Sequence, residues 1–199
     1  ESAINQDYSG PLQICIVDDG STDGSWDIIT PYIKHAAKDS HSLLDVTFSR
    51  VLGGRFGNTK IIAIKNENSG PSQARNVGIE YTLNETDIYA ILDSDDEMYE
   101  NKISECIPVR ECIVHSGSLI SKEALEAVCE DTGYYDKTMR TCEDYDLWMR
   151  ISEKFIIAHV PKSLTMVRVT GDNSSFIVNQ EVWQKNWRRV MQKAQDRYV

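Results

Sequence analysis

Three acidic groups have the residue types and spacing to do chemistry. Asp18-Asp19 follows the apolar run LQICIV. Asp93-Ser94-Asp95-Asp96 follows IYAIL. Glu143-Asp144 stands before residues of helical spacing, Tyr145, Leu147, Trp148 and Ile151. Crowded carboxylates repel unless they share a proton or a cation, so a divalent metal is their natural guest. A carboxylate beside a reacting hydroxyl can also accept its proton.

Elements must bring these groups together. Leu12–Val17 reads as a buried strand, and Lys60–Lys65 and Ile88–Leu92 read likewise. Ser25 fits a helix N-cap, followed by Trp26, Ile29, Ile33 and Ala37 at helical spacing. Pro71 fits the first position of a helix capped by Gly70 or Ser69, with Ala74, Val77, Gly78 and Tyr81 on one face. Alternating strands and helices predict an α/β fold with parallel pairing. Ligands bind such sheets at the carboxyl ends of strands, where Asp18-Asp19 and the DSDD group fall. Further on, Val46–Ser49, Ile113–Ile120, Phe155–Val160 and Leu164–Val169 read as strands, and Leu52–Thr59 as a turn. Ser121–Cys129, Glu143–Lys154 and Gln180–Tyr198 read as helices.

Composition excludes several classes. The 199 residues carry 31 Asp+Glu against 21 Lys+Arg, a net charge of −10, so the chain repels a phosphate backbone and nucleic acid is not an expected partner. No apolar run approaches the roughly 20 residues that span a bilayer. The opening ESAINQDYSG has no signal-peptide pattern. The five cysteines include no CxxC, and the four histidines form no HxxxH or HExxH, so a zinc site is not expected. DSDDE has Met98 and Ser104 where an EF-hand needs Gly and Glu. Neither G-x-G-x-x-G after the first strand nor a P-loop nor G-x-S-x-G occurs.

Four segments in order carry a resemblance: IVDDGSTDGSWDII, NSGPSQARNVGIEY, AILDSDDEMYE and YYDKTMRTCEDYDLWMRI. Together they resemble family 2 glycosyltransferases of the GT-A fold, inverting enzymes that use nucleotide-diphospho-sugars. The resemblance covers most of residues 5–175. It implies a single α/β domain, a Rossmann-type mixed sheet flanked by helices. Residues 1–96 would form the nucleotide-sugar half, 97–175 the acceptor and catalytic half, and 176–199 a C-terminal helix. It implies Asp19, with Asp18 beside it, for the nucleotide base, and Arg75 near the nucleotide. Gly70 and Ser94 fall on the same side. Asp95, with Asp93, would hold Mn²⁺ or Mg²⁺, Asp93 lying nearer the ribose. Asp144 would be the general base, Glu143 its neighbour, and Trp148 would shape the acceptor side. The implied partners are a UDP-sugar and a glycan, lipid or protein-linked acceptor. The implied setting is polysaccharide biosynthesis in the cytoplasm, with peripheral membrane contact.

The pattern also departs from the family. Its usual first strand has no counterpart here, and the interval from Asp93 to Asp144 is short. Arg168-Val169-Thr170 stands where the family has Arg-x-His. Taken singly, Asp19 is equally a turn residue, Asp144 an N-cap, Arg75 an ion-pair partner and DSDD a solvated loop. Rival readings are a non-catalytic nucleotide- or glycan-binding module on the same fold, a haloacid-dehalogenase-type phosphotransferase and a nucleotidyltransferase. Glu97 stands where the phosphotransferase wants Thr or Val.

Overall fold

The β-branched run ending at Asp18 forms strand β1 (Gln13–Asp18), and TKIIAIK forms β3 (Thr59–Lys65). The computed structural model describes residues 1–33, 50–56, 59–106, 115–170 and 179–198. β1 and β3 pair in parallel, from Gln13 opposite Lys60 to Asp18 opposite Lys65. The other edge of β3 pairs antiparallel with β2 (Arg50–Phe56). β3 is therefore a central strand, and Ile61, Ile62, Ala63 and Ile64 are all buried. Its period of two divides them. Ile61 and Ala63 pack with Trp26 of helix α1 (Ser25–Ile29) and with Ile33; Ile62 and Ile64 pack with Val77 of helix α2 (Pro71–Thr82). Burial of each of the isoleucine and valine side chains contributes about 1.5–3 kcal/mol.

The remaining strands are short. β4 (Ile88–Ala90) pairs antiparallel with β6 (Leu119–Ser121), and β5 (Glu97–Met98) with β7 (Thr165–Met166). Helix α3 (Lys102–Cys106) precedes β6, and α4 (Lys122–Val128) follows it. Helices α5 (Glu143–Ser152) and α6 (Gln180–Arg197) complete the order. The largest core cluster joins Ile79 of α2, Tyr89 of β4, Ile120 of β6, Leu125 of α4, and Leu147 and Ile151 of α5. Among the described residues, no helix is long and apolar enough to cross a membrane, and Cys15, Cys129 and Cys142 are free thiols.

Several local expectations change. LGGRF is strand, not turn, because the backbone edge of β3 needs a partner. Gly53 and Gly54 supply it opposite Ile62 and Ile61. Ser25 is the first helical residue, and Asp23 bonds it instead, accepting from its N–H at 3.1 Å and its hydroxyl at 2.7 Å. Phe155–Val160 joins no sheet; Phe155 and Ile157 pack against the largest cluster, and Val160 is buried. Leu164–Val169 keeps only β7. β4 pairs with β6 and adds no third parallel strand. Val46–Ser49, Ala37 and the start of the Ile113–Ile120 expectation lie outside the described residues.

Candidate active site

The N-terminus of α2 organises the first part of the site. Gly70 adopts φ 94° and Pro71 takes the first helical position. Asp19 accepts from the Ser69 N–H at 2.9 Å, the Ser69 hydroxyl at 3.1 Å and the Gly70 N–H at 2.8 Å. Its charge thus sits at the positive end of the helix dipole. Asp18 turns elsewhere. It is buried, accepts from the Ser21 N–H at 2.8 Å and lies 3.7 Å from Lys65 Nζ. The two adjacent aspartates therefore serve different partners.

One turn into α2, Arg75 joins two acidic groups that are distant in sequence. Nη1 donates to Glu143 Oε1 and Nη2 to Asp93 Oδ1, each at 2.8 Å. Its guanidinium lies 5.4 Å from the Tyr135 ring centroid. Asn76 holds Tyr135 from the neighbouring position. Its Nδ2 donates to the Tyr135 carbonyl, and its Oδ1 accepts the Tyr135 N–H, both at 2.8 Å. Gly133 makes that approach possible. Its φ is 102°, and a Cβ there would stand 2.3 Å from Asn76 Nδ2. Ser72 adds a bond to the Met139 carbonyl at 3.2 Å. One face of α2 thus fixes the chain leading into α5.

α5 opens at Cys142, whose φ of 62° is the one positive value among described non-glycine residues. Glu143 is buried; Asp144 is half-buried, and its Oδ1 accepts the Tyr145 N–H at 2.8 Å. Trp148 is half-buried against the largest core cluster, one turn along α5 from Asp144. Ser94 and Asp95 are exposed just beyond β4. Arg168 lies against this acidic loop: its N–H donates to Asp96 Oδ1 at 3.0 Å, Nε to the Asp95 carbonyl at 3.2 Å, and Nη2 to Glu97 Oε1 at 3.2 Å.

The electrostatics follow from burial and Arg75. Burial disfavours the charged form of Asp93, but Arg75, His115 and Ser116 outweigh it and hold the carboxyl below its usual value. Burial likewise disfavours the Arg75 cation, and Asp93, Tyr135 and Glu143 more than compensate. His115 lies edge-on to Tyr135, ring centroids 5.6 Å apart. Its two ring nitrogens are shut off from solvent and have no hydrogen-bond partner among the described residues. Burial, then Arg75, pushes its pKa down, against the pull of Asp93, Asp144 and Glu143. Burial pushes the Tyr135 phenol up, so it stays protonated.

The sequence reading therefore missed His115 and Tyr135 as members of the group. Tyr135 lay inside a quoted segment, whereas His115 carried no motif. Arg75, Asp93, Glu143 and Asp144 come together, and Asp19 lies at the head of the helix that carries Arg75. Among the described residues, no three His, Cys, Asp or Glu side chains are grouped to hold a metal. The donor set nevertheless fits Mn²⁺ or Mg²⁺ arriving with a diphosphate, because one or two hard carboxylates plus phosphate oxygens suffice for such ions. Asp95 is exposed, and Asp93 engages Arg75 through a single oxygen.

The structure is a mixed α/β domain with acids just past strands and at a helix start, consistent with the GT-A-like fold that the family match implies. The chain belongs to glycosyl transferase family 2, whose family model matches residues 1–111. It is similar to an uncharacterized glycosyltransferase of Rickettsia bellii, 24% identical over 216 residues, covering 89% of this chain and 27% of that protein. Uncharacterized glycosyltransferases of Rickettsia conorii (25% identity, 83% of this chain, 29% of the relative) and Rickettsia felis (24%, 89%, 31%) are similar too. The chain thus spans between a quarter and a third of the length of these relatives.

Proposed function

We propose that the chain transfers a sugar, with inversion, from a nucleotide-diphospho-sugar to an acceptor hydroxyl on a glycan, lipid or protein-linked group. UDP-sugar is the donor the family resemblance suggests. The observation that carries the reading is the double bridge of Arg75 to Asp93 and Glu143. It ties the segment of Asp93 to that of Glu143, the neighbour of Asp144 in the chain. A reaction that needs a proton acceptor on one side and an anionic leaving group on the other suits that arrangement.

In this reading Asp19, next to Asp18, binds the base; its Oδ2 accepts one bond and has capacity for another. Gly70, Arg75, Asp93 and Ser94 line the ribose and diphosphate side. Asp95 and Asp93 would hold Mn²⁺ or Mg²⁺, which as a Lewis acid stabilises charge on the departing diphosphate. Asp144 accepts the proton of the acceptor hydroxyl while that oxygen attacks the anomeric carbon. The bond from that carbon to the diphosphate oxygen breaks, its electron pair leaves with the diphosphate, and the configuration inverts. Glu143, clamped by Arg75, positions the start of α5, and Trp148 backs Asp144 on the acceptor side. The setting we propose is polysaccharide biosynthesis in the cytoplasm, peripheral to a membrane when the acceptor is a lipid.

Calorimetry with UDP and Mn²⁺ tests the donor side. Asp95→Ala should weaken UDP binding about tenfold or more, a loss of about 1.4 kcal/mol. Unchanged affinity removes the metal assignment. Asp144→Asn should keep UDP affinity and lower kcat by roughly 10²- to 10⁴-fold. A fully active variant refutes the base, and UDP binding without turnover in the wild type leaves a binding module.

A further inference from the structure

Beside Asp144 lies an aromatic surface with no part in the chemistry above. Asn186 Nδ2 donates to Thr141 Oγ1 at 2.8 Å, pinning α6 to the turn that opens α5. Tyr145, the residue after Asp144, is 49% exposed and meets Trp187 edge-on, centroids 4.9 Å apart. Trp183, one turn earlier on α6, stacks on Trp187 with planes 5° apart and centroids at 5.7 Å, and is itself 43% exposed. Trp187 packs inward against the cluster of Met139, Cys142 and Val190. The result is a rigid shelf, anchored on its inner side and open on its outer side.

We propose that Tyr145 and Trp183, backed by Trp187, form a stacking subsite for an uncharged pyranose ring of the acceptor. The proposal rests on the glycosyl-transfer reading, since it takes Asp144 as the group that meets the acceptor hydroxyl. Position selects the occupant. The nucleotide side is built from Asp19 and Arg75, so a ring held by the neighbour of Asp144 belongs to the acceptor. Chemistry selects it as well. Aromatic faces carry negative charge density that attracts the polarised C–H groups of a pyranose face. The tyrosine hydroxyl can exchange hydrogen bonds with sugar hydroxyls. Asp144, the residue before Tyr145, disfavours an anionic ring at that end of the shelf. Trp, Tyr and a pre-formed stack also lose little entropy on binding.

Cellobiose, chitobiose and lactose are the probes, followed by tryptophan fluorescence and saturation-transfer NMR. The wild type should bind at least one of them saturably. Trp183→Ala should weaken that binding about tenfold, Trp183→Phe should largely keep it, and Met191→Ala, exposed on the same helix, should leave it unchanged. The Phe variant separates lost stacking from a loosened helix. No binding of any probe by the wild type, or equal binding by Trp183→Ala, overturns the subsite. Two other occupants also overturn it. One is a membrane, read as co-sedimentation with phosphatidylserine vesicles that Trp183→Ala abolishes, assisted by Lys185 and Arg188, without a saccharide response. The other is a second copy of the chain, read as a dimer that Trp183→Ala dissociates. UDP with Mn²⁺, titrated into the same wild-type samples, tests the functional reading separately. UDP binding without saccharide binding sinks the subsite alone, and saccharide binding without UDP binding sinks the functional reading.

Discussion

α5 takes part in two charged clusters, one through Glu143 and one through Asp146 and Arg150, built from similar residue types and balanced differently. Toward α6, Asp146 and Asp136 are wholly buried and Glu130 partly so. Arg150 pairs with Asp146 at 2.9 Å. Lys193 reaches Glu130 at 2.8 Å, Asp146 at 2.9 Å and Asp136 at 3.2 Å. Arg189 adds a contact to Asp136 at 3.0 Å. Burial opposes the Lys193 charge, yet these carboxylates raise its pKa above the ordinary value. At the start of α5, among the described residues, Arg75 alone forms ion pairs with Asp93 and Glu143. Asp144 stands beside them, and His115 stays uncharged below. A buried cluster with its charges matched holds helices together. A cluster with surplus carboxylates and a half-open face keeps capacity for a guest.

The largest expected effect tests the matched cluster. Arg150 donates to the Val128 carbonyl and, at 2.7 Å, to the Tyr134 carbonyl, besides pairing with Asp146. Arg150→Met would leave a buried carboxylate and two carbonyls short of a partner, which should cost about 3–5 kcal/mol in urea unfolding. A loss below about 1 kcal/mol would place this cluster with ordinary surface pairs and break the comparison. Arg75→Met should cost less, about 1–2 kcal/mol, because it removes two charge-assisted bonds whose partner Asp93 water can reach. It should also change the acid limb of stability. Asp93 has a depressed folded pKa, so its contribution is fully present above its unfolded value near 3.8 and is lost as pH falls through the lower folded value. The variant should flatten that loss. A cost equal to that of Arg150→Met would mean that the two clusters do the same structural work.

Legibility in the sequence followed the range of the interaction. Gly70-Pro71, β1 to within one residue at each end, the start of α5, and α6 to within one residue at its end were readable, because caps, proline and apolar period are local signals. β2 was not, since two glycines read as a turn until the open edge of β3 claims their backbone. Phe155–Val160 failed the other way: its residues suit a strand, yet it joins no sheet. Asp93, Glu143 and Asp144 were legible as types and positions, whereas the Arg75 bridge that links them depends on how α2 packs against the chain before α5. His115 was illegible, because a single histidine gains meaning only from the tyrosine, arginine and acids that surround it in space.

That histidine supplies the smallest effect, and it separates the clusters by pH. His115 has its pKa pushed below the ordinary 6.5, first by burial and then by Arg75, so the folded protein holds the ring neutral. The unfolded chain binds a proton near pH 6.5, and the folded chain does so only at lower pH. Between those values the unfolded state holds more protons, so stability falls as pH drops, by at most about 1.4 kcal/mol per pH unit for one group. His115→Phe keeps a ring against Tyr135 and removes the titration. Urea midpoints between about pH 7.5 and about pH 5.5 should therefore drop less for the variant than for the wild type. Lys193→Met should lower the midpoint at both pH values by a similar amount, because its ammonium titrates well above this window. Parallel slopes for His115→Phe and the wild type would mean that the ring is solvated and charged in the folded state. The two clusters would then differ in packing but not in proton balance.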